Sequence, residues 1–443
     1  MKYLLPAMGS VAAIGLFAFS SINQSAVAVE KASEVNTFEQ LDLFADVLAR
    51  VRTDYVVDVN DAELIENALN GMLQSLDPHS SYVTPEQFRE LQVVTKGEYG
   101  GLGMEVTMED GFVKVIAPID DTPAERAGIK AGDYLTEIDG KSILGLTLTE
   151  AVKQMRGKPG DAITVTVVRE NEDPLDITIT REIIKRAVVK HEVMDGIGYI
   201  RLAQFNDKAA EGVEAAIKDL KREFGGKIPG IILDLRRNPG GLLTQSVQVS
   251  SAFLDGGEIV STRGRVAEDT QRYNGERGEL VKGVPIIVLI DGASASASEI
   301  VAGAIQDRGR GLIVGMTSFG KGSVQSVIPL RGGRDGGLRM TTQRYYTPAG
   351  RSIQGTGIEP DIAISAAPDD GKVRRQRREA DLPNAILNED DEGEVDTDAE
   401  EKEEIIIDYP PEDLAEDTDY QLERAIEILK NGKYAERLAE VQG

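Results

Sequence analysis

The stretch that most restricts the fold is residues 186–365, where short apolar runs alternate with amphipathic segments. Apolar runs of about four to eight residues are typical of strands buried on both faces, and apolar residues at helical spacing are typical of packed helices. The predicted strands are residues 197–202, 228–235, 284–290, 312–316, 323–330 and 338–346, and the predicted helices are residues 208–224, 242–253 and 297–307. This alternation predicts an α/β layer with a mostly parallel sheet.

Two further folded regions precede this layer. Residues 36–95 are predicted to form an N-terminal helical domain, because two apolar stripes recur at helical spacing between residues 41 and 72. Residues 97–183 are predicted to form a β-rich module, since four segments alternate apolar and polar side chains. Those strands are residues 112–117, 134–138, 162–168 and 175–180, with short helices at residues 123–127 and 149–155.

The C-terminal region differs in composition from the rest of the chain. Residues 366–417 are rich in charge and are predicted to be a disordered linker, because they cannot bury enough apolar surface. Residues 419–441 carry an apolar stripe and are predicted to form one last helix. Residues 389–420 hold 17 acidic residues and one lysine, so the net charge of −26 belongs mostly to this tail. Its acidity disfavours nucleic-acid binding.

The N-terminus has the pattern of an export signal. Lys2 precedes an apolar run over residues 4–19, and residues 25–28 read Ser-Ala-Val-Ala, a cleavage pattern. We therefore predict a signal peptide over residues 1–28 and a periplasmic or cell-envelope location. A membrane-anchored form is the alternative, although the run is short for a membrane span.

Ser296 and Lys321 are the candidate catalytic pair. Ser296 lies in a run of small residues between a predicted strand and a predicted helix, where helix N–H groups can stabilise an oxyanion. The chain has no cysteine, and its two histidines, His79 and His191, are far from Ser296 in sequence and are expected to be structural. A lysine can replace histidine as the base if burial disfavours its charged form, which takes roughly 4 kcal/mol. Gln325, four residues after Lys321, could orient that amine.

Each of these motifs also has an ordinary interpretation. Small residues around Ser296 could simply pack a helix start. Gly315, Gly320 and Lys321 almost match a phosphate-binding loop, but Gly322 replaces the Ser or Thr that binds magnesium and a strand follows instead of a helix. Two separated histidines make a zinc site improbable, while an all-carboxylate metal site stays open.

Two glycine-rich turns are candidates for backbone recognition. Gly240 and Gly241 follow an apolar strand, and their N–H groups could belong to an oxyanion hole. A second turn, residues 100–103, precedes a strand and could capture the carboxylate at a chain end. Either turn alone could equally be a simple bend.

Taken together, these motifs resemble the carboxyl-terminal processing peptidases, which are PDZ-containing serine proteases with a Ser-Lys dyad. The resemblance covers about residues 36–365. Residues 76–80 resemble a family motif that precedes the middle module, and residues 100–103, 122–133 and 155–160 resemble a PDZ domain. Residues 234–241, 294–299 and 320–325 resemble the catalytic motifs, and residues 345–348 and 357–361 resemble the closing segments.

The resemblance implies a role for each candidate. Ser296 would be the nucleophile, Lys321 the general base and Gln325 its orienting partner, and the oxyanion donors would be the N–H groups of Ala297 and of Gly240 or Gly241. The core over residues 186–365 would be a ClpP/crotonase-like α/β protease core that needs no metal or cofactor. The PDZ residues implied in binding a substrate C-terminus are Gly101, Leu102, Gly103 and Met104.

The implied function is that of a serine endopeptidase acting through an acyl-enzyme on protein or peptide substrates with accessible C-termini. A non-catalytic PDZ scaffold is the main alternative, and an esterase on the same dyad is a weaker one. An adaptor protein and a homo-oligomer are further partners to consider, and the role of residues 389–417 stays open.

Overall fold

The structure, a computed structural model, describes residues 37–169, 172–185, 187–369, 377–388, 406–415 and 418–442. The expected signal peptide lies outside these residues. The chain divides into two compact units, the first ending at Gly71 and the second beginning at Met72. In the first unit, helix α1 spans residues 37–54, and helix α2, Asp61–Gln74, begins there and ends beyond the boundary.

Among the described residues, the helices of the second unit occur in four groups along the chain. Helix α3 precedes the β-rich module, α4 and α5 belong to it, α6 to α8 belong to the protease-like core, and α9 and α10 end the chain. Their bounds are α3 Pro85–Lys96, α4 Pro123–Arg126, α5 Leu148–Met155, α6 Ala209–Glu223, α7 Leu243–Phe253, α8 Ala297–Asp307, α9 Tyr420–Lys430 and α10 Lys433–Gln442.

A parallel sheet forms the centre of the core. Its strands are β10 Val189–Met194, β11 Ile197–Leu202, β12 Ile231–Asp234, β15 Ile286–Ile290, β16 Leu312–Gly315 and β19 Ile362–Ala363, and they lie side by side in that order. Strands β11, β12, β15, β16 and β19 run parallel to one another, and β10 pairs antiparallel with β11 at one edge. Every residue of β15 is fully buried, as expected for a strand covered on both faces. The predicted parallel α/β layer is confirmed.

Helices cover both faces of this sheet. On one face α6, α7 and α8 bury a large apolar cluster with β11, β12 and β15. On the other face, Ala425 and Ile426 of α9 and Tyr434 of α10 pack on strand residues such as Ile232 and Ile287. The C-terminal helices are therefore part of the core and close its second face.

An antiparallel sheet extends the core beside the parallel one. It contains β1 Ser81–Val83, β13 Gly257–Arg263, β14 Gln271–Gly275, β17 Ser323–Pro329 and β18 Gly337–Tyr346. Strand β18 lies at its centre and pairs with β1, β13 and β17. Two strands that the sequence placed in the mostly parallel layer, residues 323–330 and 338–346, thus pair antiparallel in a separate sheet.

The β-rich module is inserted before the core. Its sheet contains β3 Met104–Glu109, β4 Phe112–Pro118, β5 Tyr134–Ile138, β6 Lys141–Ser142, β7 Ala162–Val168 and β8 Leu175–Thr180. Strands β2 Glu98–Gly101 and β9 Glu182–Lys185 pair where the chain enters and leaves the module. Buried residues of the sheet, α4 and α5 form a separate apolar cluster.

The described residues differ from two C-terminal predictions. The single helix over residues 419–441 is two helices, because Gly432 adopts φ +69° between α9 and α10 and ends the first. The linker predicted to be disordered over residues 366–417 contains ordered parts. Within it, Glu379 is buried, and the N–H of Asp408 binds Ala363 O at the edge of the parallel sheet.

Candidate active site

Ser296 stands at the point where β15 turns into α8. It is the last residue before the helix and has φ 58° and ψ −113°, a backbone conformation that strains a residue with a side chain. The neighbouring chain holds it there, since Ala295 N and Ser298 Oγ both donate to Asn238 O, at 3.0 and 2.9 Å. The turn predicted from the small residues is therefore a fixed elbow that presents Ser296.

Glu299, which the sequence analysis did not single out, lies beneath both candidate catalytic segments. Its Oε2 accepts the N–H of Ser296 at 2.6 Å and the N–H of Lys321 at 2.9 Å. Its Oε1 accepts the N–H of Gly320 at 2.7 Å and the Ser318 hydroxyl at 2.6 Å. The serine turn and the lysine loop thus share one fully buried carboxylate. The signal for it was a glutamate three residues after a helix-capping serine.

The charge of Glu299 is balanced between two opposing effects. Burial raises the pKa of Glu299 to about 7, and the hydrogen bonds from Ser318, Ser296, Gly320 and Lys321 oppose that rise. All four groups donate and so favour the ionised carboxylate, but burial outweighs them and leaves the pKa of Glu299 raised.

Lys321 is half-buried in the loop between β16 and β17. Burial lowers the pKa of its amine below the usual 10.5. The carboxylates of Glu379, Glu299 and Asp77 oppose this shift, and the guanidinium of Arg339 adds to it. The sequence-based requirement that burial should favour a neutral lysine therefore agrees with the direction of the shift.

The side chain of Ser296 contacts a residue that the sequence did not select. Its Oγ lies 2.6 Å from the hydroxyl of Tyr345. Within the described residues, Ser296 Oγ and Lys321 Nζ are not hydrogen-bonded to each other. The carboxylate of Glu299 thus binds the backbone N–H groups of both candidate residues, while the hydroxyl of Ser296 is hydrogen-bonded to the hydroxyl of Tyr345.

Gln325 lies in β17, close after the lysine loop. Its Nε2 donates to Ser323 Oγ at 3.0 Å and to Thr341 Oγ1 at 3.2 Å. Thr341 Oγ1 in turn donates to Asp77 Oδ1 at 3.1 Å. The amide of Gln325 is therefore held among hydroxyl groups beside the site, and its nitrogen is not directed at Lys321.

The glycine turn after β12 packs directly against the serine elbow. A Cβ atom on Gly240 would lie 2.8 Å from Ser296 Cβ and 2.6 Å from Ala295 O, and Gly240 has φ +96°. Only glycine permits this approach. Gly240 N donates to Asn238 Oδ1 at 2.9 Å, whereas the N–H groups of Gly241 and Ala297 meet no acceptor among the described residues.

The four residues expected to bind peptide line one groove of the inserted module. Gly101, Leu102, Gly103 and Met104 surround it together with Ile116, Val152, Met155 and Arg156. The groove lies between the start of β3 and helix α5, and its walls combine apolar side chains with polar groups in equal measure. Arg156 stands over the ring of Tyr99, 4.9 Å from the ring centre.

Both histidines pair with carboxylates and not with the serine. His79 Nε2 lies 2.7 and 2.8 Å from the two oxygens of the buried Glu379. Glu379 N donates to Phe319 O at 3.0 Å, so the segment after the core closes against the lysine loop. His191 Nε2 lies 3.7 Å from Asp219 Oδ2.

Ser296 stands in an elbow at the end of a parallel strand, and the half-buried Lys321 shares the carboxylate of Glu299 with it through its backbone N–H. This arrangement, together with the groove of the inserted module, defines a PDZ-containing serine peptidase. Three family profiles match the chain: "Peptidase family S41" over residues 196–364, "PDZ domain" over residues 100–180 and "Activating protease CtpB N-terminal domain" over residues 5–87. The chain belongs to the carboxy-terminal-processing proteases of peptidase family S41. The predicted fold class and the assignment as a peptidase are confirmed.

Two curated relatives support this membership, and one solved structure shows a partial likeness. A carboxy-terminal-processing protease of Bartonella bacilliformis is 55% identical over 352 residues, which cover 79% of this chain and 81% of the relative. A probable CtpA-like serine protease of Staphylococcus aureus is 36% identical over 358 residues, 80% of this chain and 70% of the relative. A solved photosystem II D1 C-terminal processing protease is 28% identical, covering 74% of this chain and 94% of its own, with a TM-score of 0.43. In the described part of the chain, no helix is long and apolar enough to cross a membrane.

Proposed function

We propose that this protein is a serine endopeptidase that cleaves by a Ser-Lys mechanism, with Gln325 assisting, and recognises substrate C-termini through its PDZ domain. The observation that carries the proposal is the shared carboxylate of Glu299, which binds the backbone N–H of both Ser296 and Lys321. One rigid acceptor therefore positions the nucleophile and the base relative to each other. Burial lowers the pKa of Lys321, which is the direction that a neutral general base requires.

The proposed reaction is acyl transfer. Neutral Lys321 takes the hydroxyl proton of Ser296, and Ser296 Oγ attacks the carbonyl carbon of the scissile peptide bond. The protonated Lys321 then gives its proton to the leaving amine, and water hydrolyses the ester on Ser296 with Lys321 again as base. These steps use side chains and water alone, so the proposal calls for no metal or cofactor.

We assign the oxyanion hole to the N–H groups of Ala297 and Gly241. Ala297 is the first residue of α8, where the helix dipole favours negative charge. The alternative donor, Gly240, already gives its N–H to Asn238 Oδ1. Gly240 would instead allow the close approach that places Gly241 beside the elbow.

Substrate recognition is assigned to the groove of the PDZ domain. A PDZ domain adds an extended peptide to a strand edge and captures its terminal carboxylate with backbone N–H groups. Leu102, Val152 and Met155 would contact the last side chain of the peptide, so we expect a preference for an apolar terminal residue. A peptide with a free C-terminus should bind, and the same peptide amidated at its C-terminus should bind much more weakly.

The peptidase proposal is tested with an unstructured protein substrate and three variants. Ser296→Ala and Lys321→Ala should abolish cleavage, and Lys282→Ala, which removes an exposed lysine of the same core, should cleave like the wild type. A fluorophosphonate should label the wild type once, at Ser296. Cleavage that persists in both active-site variants would overturn the mechanism, and a wild type that binds peptide without cleaving any substrate would favour a scaffold. Hydrolysis of esters but not of peptides would favour an esterase.

We further propose that the protein is exported to the periplasm or cell envelope, because of the signal pattern over residues 1–28. Cell fractionation with N-terminal sequencing tests this. A mature chain that begins at Val29 is expected, and an uncleaved chain in the membrane fraction would favour the anchored form.

A further inference from the structure

The hydroxyl of Tyr345 is the polar side-chain atom that contacts the proposed nucleophile. It lies 2.6 Å from Ser296 Oγ, and Tyr345 is 4% exposed. In the sequence, Tyr345 stands out only within a segment that resembles a closing family motif, and nothing there assigns it a role. A polar side chain this deeply buried, in contact with the atom that reacts, needs a chemical explanation.

The backbone of Tyr345 is fixed on both sides. On one side Tyr345 pairs with Thr262 of β13. On the other side, Tyr345 N donates to Gly322 O at 2.8 Å, and Gly322 directly follows Lys321. The phenol and the lysine loop are therefore held in one frame, and both are directed toward the serine elbow.

The chemistry decides the direction of the Tyr345–Ser296 hydrogen bond. Burial raises the pKa of Tyr345 above its usual 10, so the phenol keeps its proton at any pH where the enzyme works. A phenol is a better donor than an aliphatic hydroxyl because it is the stronger acid. Tyr345 therefore donates to Ser296 Oγ, and the proton of Ser296 itself is left to point elsewhere.

Resting on the proposed Ser-Lys mechanism, we propose that Tyr345 is a further catalytic residue, which donates a hydrogen bond to Ser296 Oγ throughout the reaction. As the Ser296 proton passes to Lys321, negative charge grows on Oγ and the bond from Tyr345 strengthens. The same bond stabilises Oγ again when it leaves the acyl-enzyme. Tyr345 keeps its own proton in every step, so the proton balance remains between Ser296, Lys321 and the leaving amine.

The chain supplies a matched control in the next residue. Tyr346 is 2% exposed and lies on the same strand, β18, but its side chain points to the other face, where its ring lies under Arg263 at 3.8 Å. Tyr345→Phe and Tyr346→Phe each remove one buried hydroxyl from adjacent positions. Only the first removes a hydrogen bond to Ser296.

The experiment compares these two variants with the wild type and with Ser296→Ala. We measure kcat/KM on a peptide substrate, the rate of fluorophosphonate labelling of Ser296, and the melting temperature. A hydrogen bond to an atom that gains charge is worth roughly a ten- to hundredfold change in rate. We therefore expect Tyr345→Phe to lower kcat/KM and the labelling rate by that factor, while Tyr346→Phe stays within about twofold of the wild type in both.

A second substitution separates donor strength from packing. Replacing Tyr345 with 3-fluorotyrosine keeps the shape of the ring and makes the phenol more acidic, so it should preserve or raise the labelling rate that Tyr345→Phe loses. Equal values of kcat/KM and of the labelling rate in Tyr345→Phe and Tyr346→Phe would overturn the proposal. A Tyr345→Phe enzyme faster than the wild type would also overturn it, because Tyr345 would then inhibit Ser296. Failure of the Ser-Lys mechanism itself would be recognised separately, because Ser296→Ala would then stay active.

Discussion

Replacing Glu299 with glutamine tests whether one buried carboxylate fixes the positions of Ser296 and Lys321 relative to each other. Its two oxygens accept four hydrogen bonds, from Ser296 N, Lys321 N, Gly320 N and Ser318 Oγ. An amide has a single acceptor oxygen, and its NH₂ group must face one of the two pairs of donors. The best orientation keeps Ser296 and Lys321 on the oxygen and turns the NH₂ group toward the other pair.

The cost follows from the donors that lose their acceptor. The Ser318 hydroxyl can reverse and accept from the NH₂ group, but the N–H of Gly320 cannot. One buried, unsatisfied N–H costs about 1–3 kcal/mol, part of which is recovered because a buried charge is removed. If about 1.4 kcal/mol of this loss appears as displacement of the Lys321 loop, kcat/KM falls about tenfold.

Peptide cleavage and thermal unfolding measured side by side test this reasoning. We expect Glu299→Gln to lower both kcat/KM and the melting temperature, and kcat to fall more than KM rises. Asp361→Asn is the control, because Asp361 is a carboxylate of the same core that accepts the N–H of Ile313 in β16 at 2.7 Å instead of an N–H of the serine elbow. It should lower stability and leave kcat unchanged. A Glu299→Gln enzyme with wild-type kcat/KM would refute the role assigned to this carboxylate.

Three further outcomes are expected. Gly240→Ala should reduce kcat/KM by at least about a hundredfold, because its Cβ would lie 2.8 Å from Ser296 Cβ at a φ of +96°. The variant should stay folded by circular dichroism. Wild-type activity would contradict the packing of the glycine turn on the elbow. Arg236→Ala should lower the free energy of unfolding in urea by about 2 kcal/mol, because Arg236 makes two 2.7 Å hydrogen bonds to Asp419 at the start of α9. An unchanged midpoint of urea unfolding would argue against a stabilising role of this ion pair. Burial lowers the pKa of Lys321, and the proposed base is its neutral amine, so kcat/KM should rise with pH through an inflection below 10.5. An inflection at or above that value would contradict a buried base.

Much of the fold was predictable because its signals are local. The bounds of β5, β7, β8, β11 and α8 agree with the apolar periodicity of the sequence, since a strand or helix buried on a sheet must carry its own pattern. The break at Gly432 was also a local signal, and it was passed over in favour of a continuous apolar stripe. The ordered part of the charged linker was missed for another reason. Glu379 is buried by residues distant in sequence: His79, 300 positions earlier, and Gln354 both meet its carboxylate.

The candidate site, too, has features set by neighbouring residues and features set by contacts between distant residues. The sequence by itself determined that a serine would stand at a tight strand–helix turn and that a lysine would follow in a glycine loop, because neighbouring residues set those turns. Only the tertiary structure decided that Glu299 joins the two loops, that Gln325 is held by Ser323 and Thr341, and that Tyr345 reaches the serine hydroxyl. These contacts depend on which strands become neighbours, and pairing between distant strands is settled by packing of the whole core.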